Sequence, residues 1–149
     1  AVECYRKGVE ERDEVSLCNL GFCYNNGKGV DKNVKEAASL YSRAANKGYA
    51  VAMFNLAFCY RKGEGVKKDK KKAVQLYSQA ADKGYARAIC NLGWCYECGK
   101  GVKADEETAI ELYKKAADLG NVVAMDNLKN RGIDYTPCPK QEQQEQEEE

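Results

Sequence analysis

The segments LGFCYNNGKGV (residues 20–30), LAFCYRKGEGV (56–66) and LGWCYECGKGV (92–102) stand 36 residues apart. A second motif keeps the same step: LYSRAANKGYA (40–50), LYSQAADKGYA (76–86) and LYKKAADLGNV (112–122). Residues 16–51 and 52–87 agree at more than half of their positions, which chance does not produce. A period of this length marks a stack of supersecondary units, each burying its apolar face against its neighbours.

Each unit reads as two helices. Helix A of the first unit spans roughly 14–25. Leu17, Leu20, Gly21 and Tyr24 follow the i, i+3, i+4, i+7 spacing of an amphipathic helix. The Gly27-Lys28-Gly29 run stops it, because glycine supplies the left-handed cap. Helix B starts near Asn33. Asn33, Asp69 and Asp105 occupy equivalent N-cap positions, and Asn33 with Glu36 matches a capping box. Ala37, Leu40, Tyr41 and Ala44 line the inner stripe of B, and Gly48, Gly84 and Gly120 close the three B helices. Short links make neighbouring helices antiparallel, and Ala44-Ala45, Ala80-Ala81 and Ala116-Ala117 let backbones approach closely.

The first residues to about 13 align with a B helix, Tyr5 matching Tyr41, and 122–133 align with an A helix, Leu128 matching Leu20. The expected order is a half repeat (1–13), full repeats at 14–49, 50–85 and 86–121, and a half repeat (122–133). Both ends read as open, and the chain begins at Ala1, so it is expected to be a fragment or a processed product. Residues 134–149 read as a disordered acidic Gln/Glu-rich tail. Its last ten residues hold one lysine and five glutamates, so the 24 basic and 23 acidic residues of the whole leave a body of net charge +5.

Composition narrows the chemistry. The 149 residues are 44% hydrophobic and 32% charged, as in an ordinary folded domain. There is no histidine, which excludes histidine-ligated metals and every serine– or cysteine–histidine catalytic pair. No apolar run reaches the length of a membrane span. The glycine loops lack the preceding strand and the spacing of a phosphate loop. No catalytic residue, cofactor or metal is expected.

The pattern L-G-x-x-Y-x-x-G-x-G-V followed by A-x-x-x-Y-x-x-A-A-x-x-G resembles the Sel-one-like repeat, a relative of the tetratricopeptide repeat. Departures are few, Ala57 for glycine and Asn121 for tyrosine among them. The resemblance covers 1–133. It implies an all-α, right-handed α-solenoid of antiparallel helix pairs, about eight helices in all, with A helices lining the concave surface. It also implies an adaptor that holds protein complexes together. One secreted, cysteine-rich branch is linked to β-lactam binding and joins B to the next A through C-x7-C. Those positions here are Ala45/Met53, Ala81/Ile89 and Ala117/Met125, so a small-molecule or β-lactamase-like activity does not carry over.

At about 100° per residue, Val15, Cys18, Phe22, Asn25 and Asn26 lie opposite the packing side of helix A, with Asn19 at the edge. Three columns result. Phe22, Phe58 and Trp94 form an aromatic ladder, read either as partner anchors or as rings buried by superhelical curvature. Asn19, Asn55, Asn91 and Asn127 form an amide ladder, read either as main-chain contacts to an extended peptide or as inter-helix hydrogen bonds. Cys18, Phe54 and Cys90 add apolar walls to the same groove. Arg61, Lys62 and Arg87 give its middle a positive character, which suits an acidic peptide. The lysines from Lys62 to Lys72 read as a solvated basic rim rather than a nucleic-acid surface, since Glu64 and Asp69 interrupt them.

Eight cysteines leave three readings open: reduced structural thiols, one or two disulfides (Cys4–Cys18 among them), or a metal site that would lack a fourth ligand. They fit either a reducing cytosol or an oxidising lumen. The sequence thus points to a scaffold that binds a protein or peptide. The alternative is a structural segment that self-associates, or stacks with further repeats, through its open ends.

Overall fold

The computed structural model describes residues 1–10 and 13–133. They form eight α-helices and no strand: α1 (Val2–Glu10), α2 (Glu14–Asn26), α3 (Val34–Asn46), α4 (Ala50–Lys62), α5 (Lys70–Asp82), α6 (Ala86–Cys98), α7 (Glu106–Asp118) and α8 (Val122–Asn130). The even-numbered helices are A and the odd-numbered are B. Each helix packs on the one before and the one after, and the closest pairs are α2 with α3, α4 with α5, and α6 with α7. This is the helical solenoid that the repeat implies. The residues read as the acidic tail lie outside the described part.

Local chemistry sets the starts of the full B helices and the ends of the A helices that precede them. Asn33, Asp69 and Asp105 cap α3, α5 and α7, their side chains accepting from the amides of Glu36, Lys72 and Thr108 at 3.1, 3.1 and 3.3 Å. The capping box at Asn33 is only half formed. Its own amide donates to the Tyr24 carbonyl at 2.9 Å, leaving nothing for the Glu36 side chain to satisfy. Asp69 and Asp105 repeat that bond, to Tyr60 and Tyr96. Helices α2, α4 and α6 end on Gly27, Gly63 and Gly99, all left-handed. The second glycine of each loop has a different task. A Cβ on Gly65 or Gly101 would collide with the carbonyl of Val34 or Lys70, at the start of the previous B helix. The loop therefore sits directly on the preceding repeat.

The core is a row of tyrosines between alanines. Tyr77 and Tyr113 are fully buried and Tyr41 nearly so, among Ala37, Ala44, Ala73, Ala80, Ala109 and Ala116. Gly21 and Gly93 make room for them: a Cβ there would stand 2.9 and 3.0 Å from a ring carbon of Tyr41 and Tyr113. Ala57 takes that place in the middle repeat, facing Tyr77. The positions the resemblance assigns to disulfides are packed apolar pairs, buried at Ala45/Met53, Ala81/Ile89 and Ala117, and half-buried at Met125.

One expectation from the helical wheel fails. Cys18, Phe54 and Cys90, read as open groove walls, are buried to within 7%. An A helix in the stack is covered by its own B helix, by the previous B helix and by the side chains of the next A helix, so less than half of its circumference stays open. Phe54 shows this directly, its ring 5.7 Å from that of Tyr77 and 5.4 Å from that of Tyr85.

Candidate functional site

Helices α2, α4 and α6 enclose a groove cavity of about 370 Å³. It gathers Phe22, Phe54, Asn55, Phe58 and Asn91 from the three columns and the basic neighbours Arg61 and Arg87, together with Asn25, Asn26 and Val123. Phe54 contributes only the edge of an otherwise buried ring. The remaining sequence candidates lie elsewhere. Asn19 lines a cavity of about 640 Å³ at the α1 end, shared with Phe22 and Lys28. Lys62 and Trp94 line a third cavity of about 300 Å³ beyond Arg61. Asn127 is half-buried on α8, and its backbone carbonyl accepts from Arg131 Nη1 at 2.8 Å.

The aromatic ladder is graded and carries cations. Phe22 is 47% exposed, while Phe58 and Trp94 are half-buried. The Arg61 guanidinium carbon lies 5.0 Å from the Phe58 centroid and 5.0 Å from that of Trp94. One cation therefore bridges an aromatic of its own repeat and one of the next. Arg87 lies 4.8 Å over Phe54, and Lys28 Nζ lies 5.0 Å over Phe22. Such contacts hold about 0.5–1 kcal/mol each at exposed sites. Curvature half-covers two of the rings, and the third stays open.

The amide ladder is partly occupied by architecture. Asn55 Nδ2 donates to Cys18 Sγ at 3.6 Å, linking α4 to α2. Burial pushes the Cys18 thiol up to about 11, with the Asn55 bond pulling the other way. Burial also holds Cys59, Cys90 and Cys95 at about 11, so these are unreactive thiols. All seven cysteines of the described residues are free, with Cys4 and Cys98 exposed. Among the described residues no cluster of cysteines and carboxylates is arranged to hold a metal, and no helix is long and apolar enough to cross a membrane.

Sequence reasoning missed a lock at the far end of the groove. The buried Tyr113 hydroxyl donates to Glu97 Oε2 at 2.5 Å, and the Arg131 guanidinium pairs with the other carboxylate oxygen. Arg131 also lies 5.3 Å over the Tyr113 ring. This ties α6, α7 and α8 together. The signal was there: position 97 departs from the repeat, holding Glu where the earlier units hold Asn25 and Arg61.

The family model described as the Sel1 repeat matches residues 15–49, 50–85 and 86–121. No curated protein matches the chain. Among solved structures, a Sel1 repeat protein from Oxalobacter formigenes is 41% identical with a TM-score of 0.80. That match covers 85% of this chain and 52% of the other, so the chain spans about half of that relative. A protective antigen of uropathogenic Escherichia coli strains, displaying an SLR fold, is 34% identical with a TM-score of 0.80 over 88% of this chain and 29% of its own. Helicobacter pylori cysteine rich protein B is 27% identical with a TM-score of 0.68, over 86% of this chain and 97% of its own.

Proposed function

The chain belongs to the Sel1 repeat family, whose members generally serve as protein-interaction scaffolds, and from that premise we propose that it binds an extended segment of a partner protein in the groove between α2, α4 and α6. The observation that carries this reading is the convergence of Phe22, Asn55, Phe58, Arg87 and Asn91 on one cavity of about 370 Å³. Phe22 supplies an apolar anchor, the half-buried amides of Asn55 and Asn91 face main-chain groups, and Arg87 gives the groove a preference for acidic side chains. The binding role needs no reacting group.

Capture from a random-peptide display library tests it, with the native protein beside a Phe22→Ala, Arg87→Ala double variant. Both side chains are exposed, so the variant keeps its helicity. Enrichment of a consensus by the native protein, lost in the variant, is the expected result. Equal enrichment by both moves the site off this face.

A second reading has its own observation. Leu119, Val122 and Val123 are 45%, 65% and 61% exposed at the α7–α8 turn, an apolar edge suited to contact with a further repeat or another copy. Sedimentation over a concentration series, with Leu119→Ser and Val122→Ser as the comparison, separates it from the groove.

A further inference from the structure

The third cavity, on the other side of Arg61, is lined by Arg61, Lys62, Lys68, Lys70 and Lys100 around the half-buried Trp94, and by no carboxylate. It occupies about 300 Å³ where the C-terminal ends of α4 and α6 meet the N-terminus of α5. Its cations are gathered by packing. The seat of Gly101 on the Lys70 carbonyl brings the loop holding Lys100 onto the start of α5. None of the five is paired with a carboxylate among the described residues. The nearby Asp69 carboxylate is spent on the Lys72 amide, and Lys72 itself turns to the Tyr60 ring, 4.7 Å away.

The other repeats have no such cluster. The positions of Arg61, Lys62, Lys68 and Lys70 hold Asn25, Asn26, Lys32 and Val34 in the first unit, and Glu97, Cys98, Ala104 and Glu106 in the third. Glu64 stands where Lys100 does one unit later. The helix ends agree. The first turns of α3 and α7 hold Glu36 and Glu106-Glu107, which favour the positive end of the helix dipole, whereas α5 opens with Lys70-Lys71-Lys72. Like charge at that end, offset only by the Asp69 cap, opposes the helix dipole, and a bound anion relieves it.

We infer that this cavity binds the carboxylates of an acidic segment of a partner protein. The inference rests on the groove reading in one respect: Arg61 lines both cavities, so a segment lying in the groove runs on into this one. Trp94 gives the segment's backbone a flat wall, and the four lysines meet its side chains from both rims.

The test uses fluorescein-labelled octaglutamate, read by anisotropy and by emission of Trp94, the single tryptophan of the chain. The full chain is compared with a K68Q/K70Q/K100Q variant and with a K83Q/K114Q/K115Q control of equal charge change. All six lysines are exposed, so both variants fold. The expected result is a shift of Trp94 emission, with affinity falling at least about tenfold in the first variant, less than about twofold in the control, and with added salt. Equal loss in both variants reduces the effect to net charge and overturns the site. So does absent binding, or tighter binding of single-stranded DNA than of the peptide, which would make this a nucleic-acid site. The two readings fail separately: octaglutamate binding without library capture overturns the groove, and library capture without octaglutamate binding overturns only this cavity.

Discussion

The middle and third repeats solve one packing problem in opposite ways. In each, a B-helix tyrosine is wholly buried with its hydroxyl near the A-helix C-terminus. In the third, Glu97 accepts from Tyr113 and Arg131 closes the pair. In the middle, the equivalent residue is Arg61, which has no acceptor to offer. Tyr77 makes no standard hydrogen bond there, and Arg61 Nε is buried without a partner. Burial pushes the Tyr77 phenol up, with the Arg61 charge and the Asn91 amide pulling it down. For Tyr113, burial and the Glu97 carboxylate push the same way. The third repeat devotes this position to holding helices together. The middle one gives up that bond and turns the side chain to the groove.

The largest expected effect sharpens the contrast. Gly93→Ala places a methyl 3.0 Å from a Tyr113 ring that Glu97 and Arg131 hold in place. It should cost about 1–3 kcal/mol in denaturant unfolding. Ala57→Gly, the converse change beside the less tethered Tyr77, should cost less than about 1 kcal/mol. Equal costs would show that the tyrosines are held alike.

Glu97→Ala leaves a buried hydroxyl without an acceptor, at about 1–2 kcal/mol. Tyr77→Phe should change the unfolding free energy by less than about 0.5 kcal/mol, because the hydroxyl has no hydrogen bond of standard geometry to lose. A large loss at Tyr77→Phe would break the comparison.

Base titrates the two repeats less differently. Cys59 in the middle repeat and Cys90 and Cys95 in the third stand at about 11 folded, against an ordinary 9.0. A raised folded pKa stabilises fully below 9.0, and that stability is lost as pH climbs to about 11. Unfolding followed from pH 8 to 11 should show this decline, and Cys59→Ala should flatten part of it. The smallest effect is kinetic: a thiol reagent at neutral pH should label Cys4 and Cys98 well before the five buried cysteines.

The periodic part of this molecule was legible from its sequence. Caps, glycine stops, the tyrosine row and the order of helices follow from residues that recur every unit, because each local choice is made three times over. What escaped was lateral. A helical wheel treats helix A as having one covered side, whereas the stack covers three, and so it misplaced Cys18, Phe54 and Cys90. The roles of Arg61 and Glu97 also depend on residues one repeat away. The Asn55 amide showed its dual nature only when Cys18 was seen beneath it. The candidate residues came out of the columns, but their division among three cavities did not.

Arg61 also has a mechanical meaning. A solenoid is a spring, and its compliance resides in the seams between turns. One guanidinium held between Phe58 and Trp94 spans the second seam like a clasp. Pulling the turns apart at this seam draws those two rings away from the cation between them. Because Trp94 is the only indole in the chain, stretching of this spring at that seam has its own optical signal.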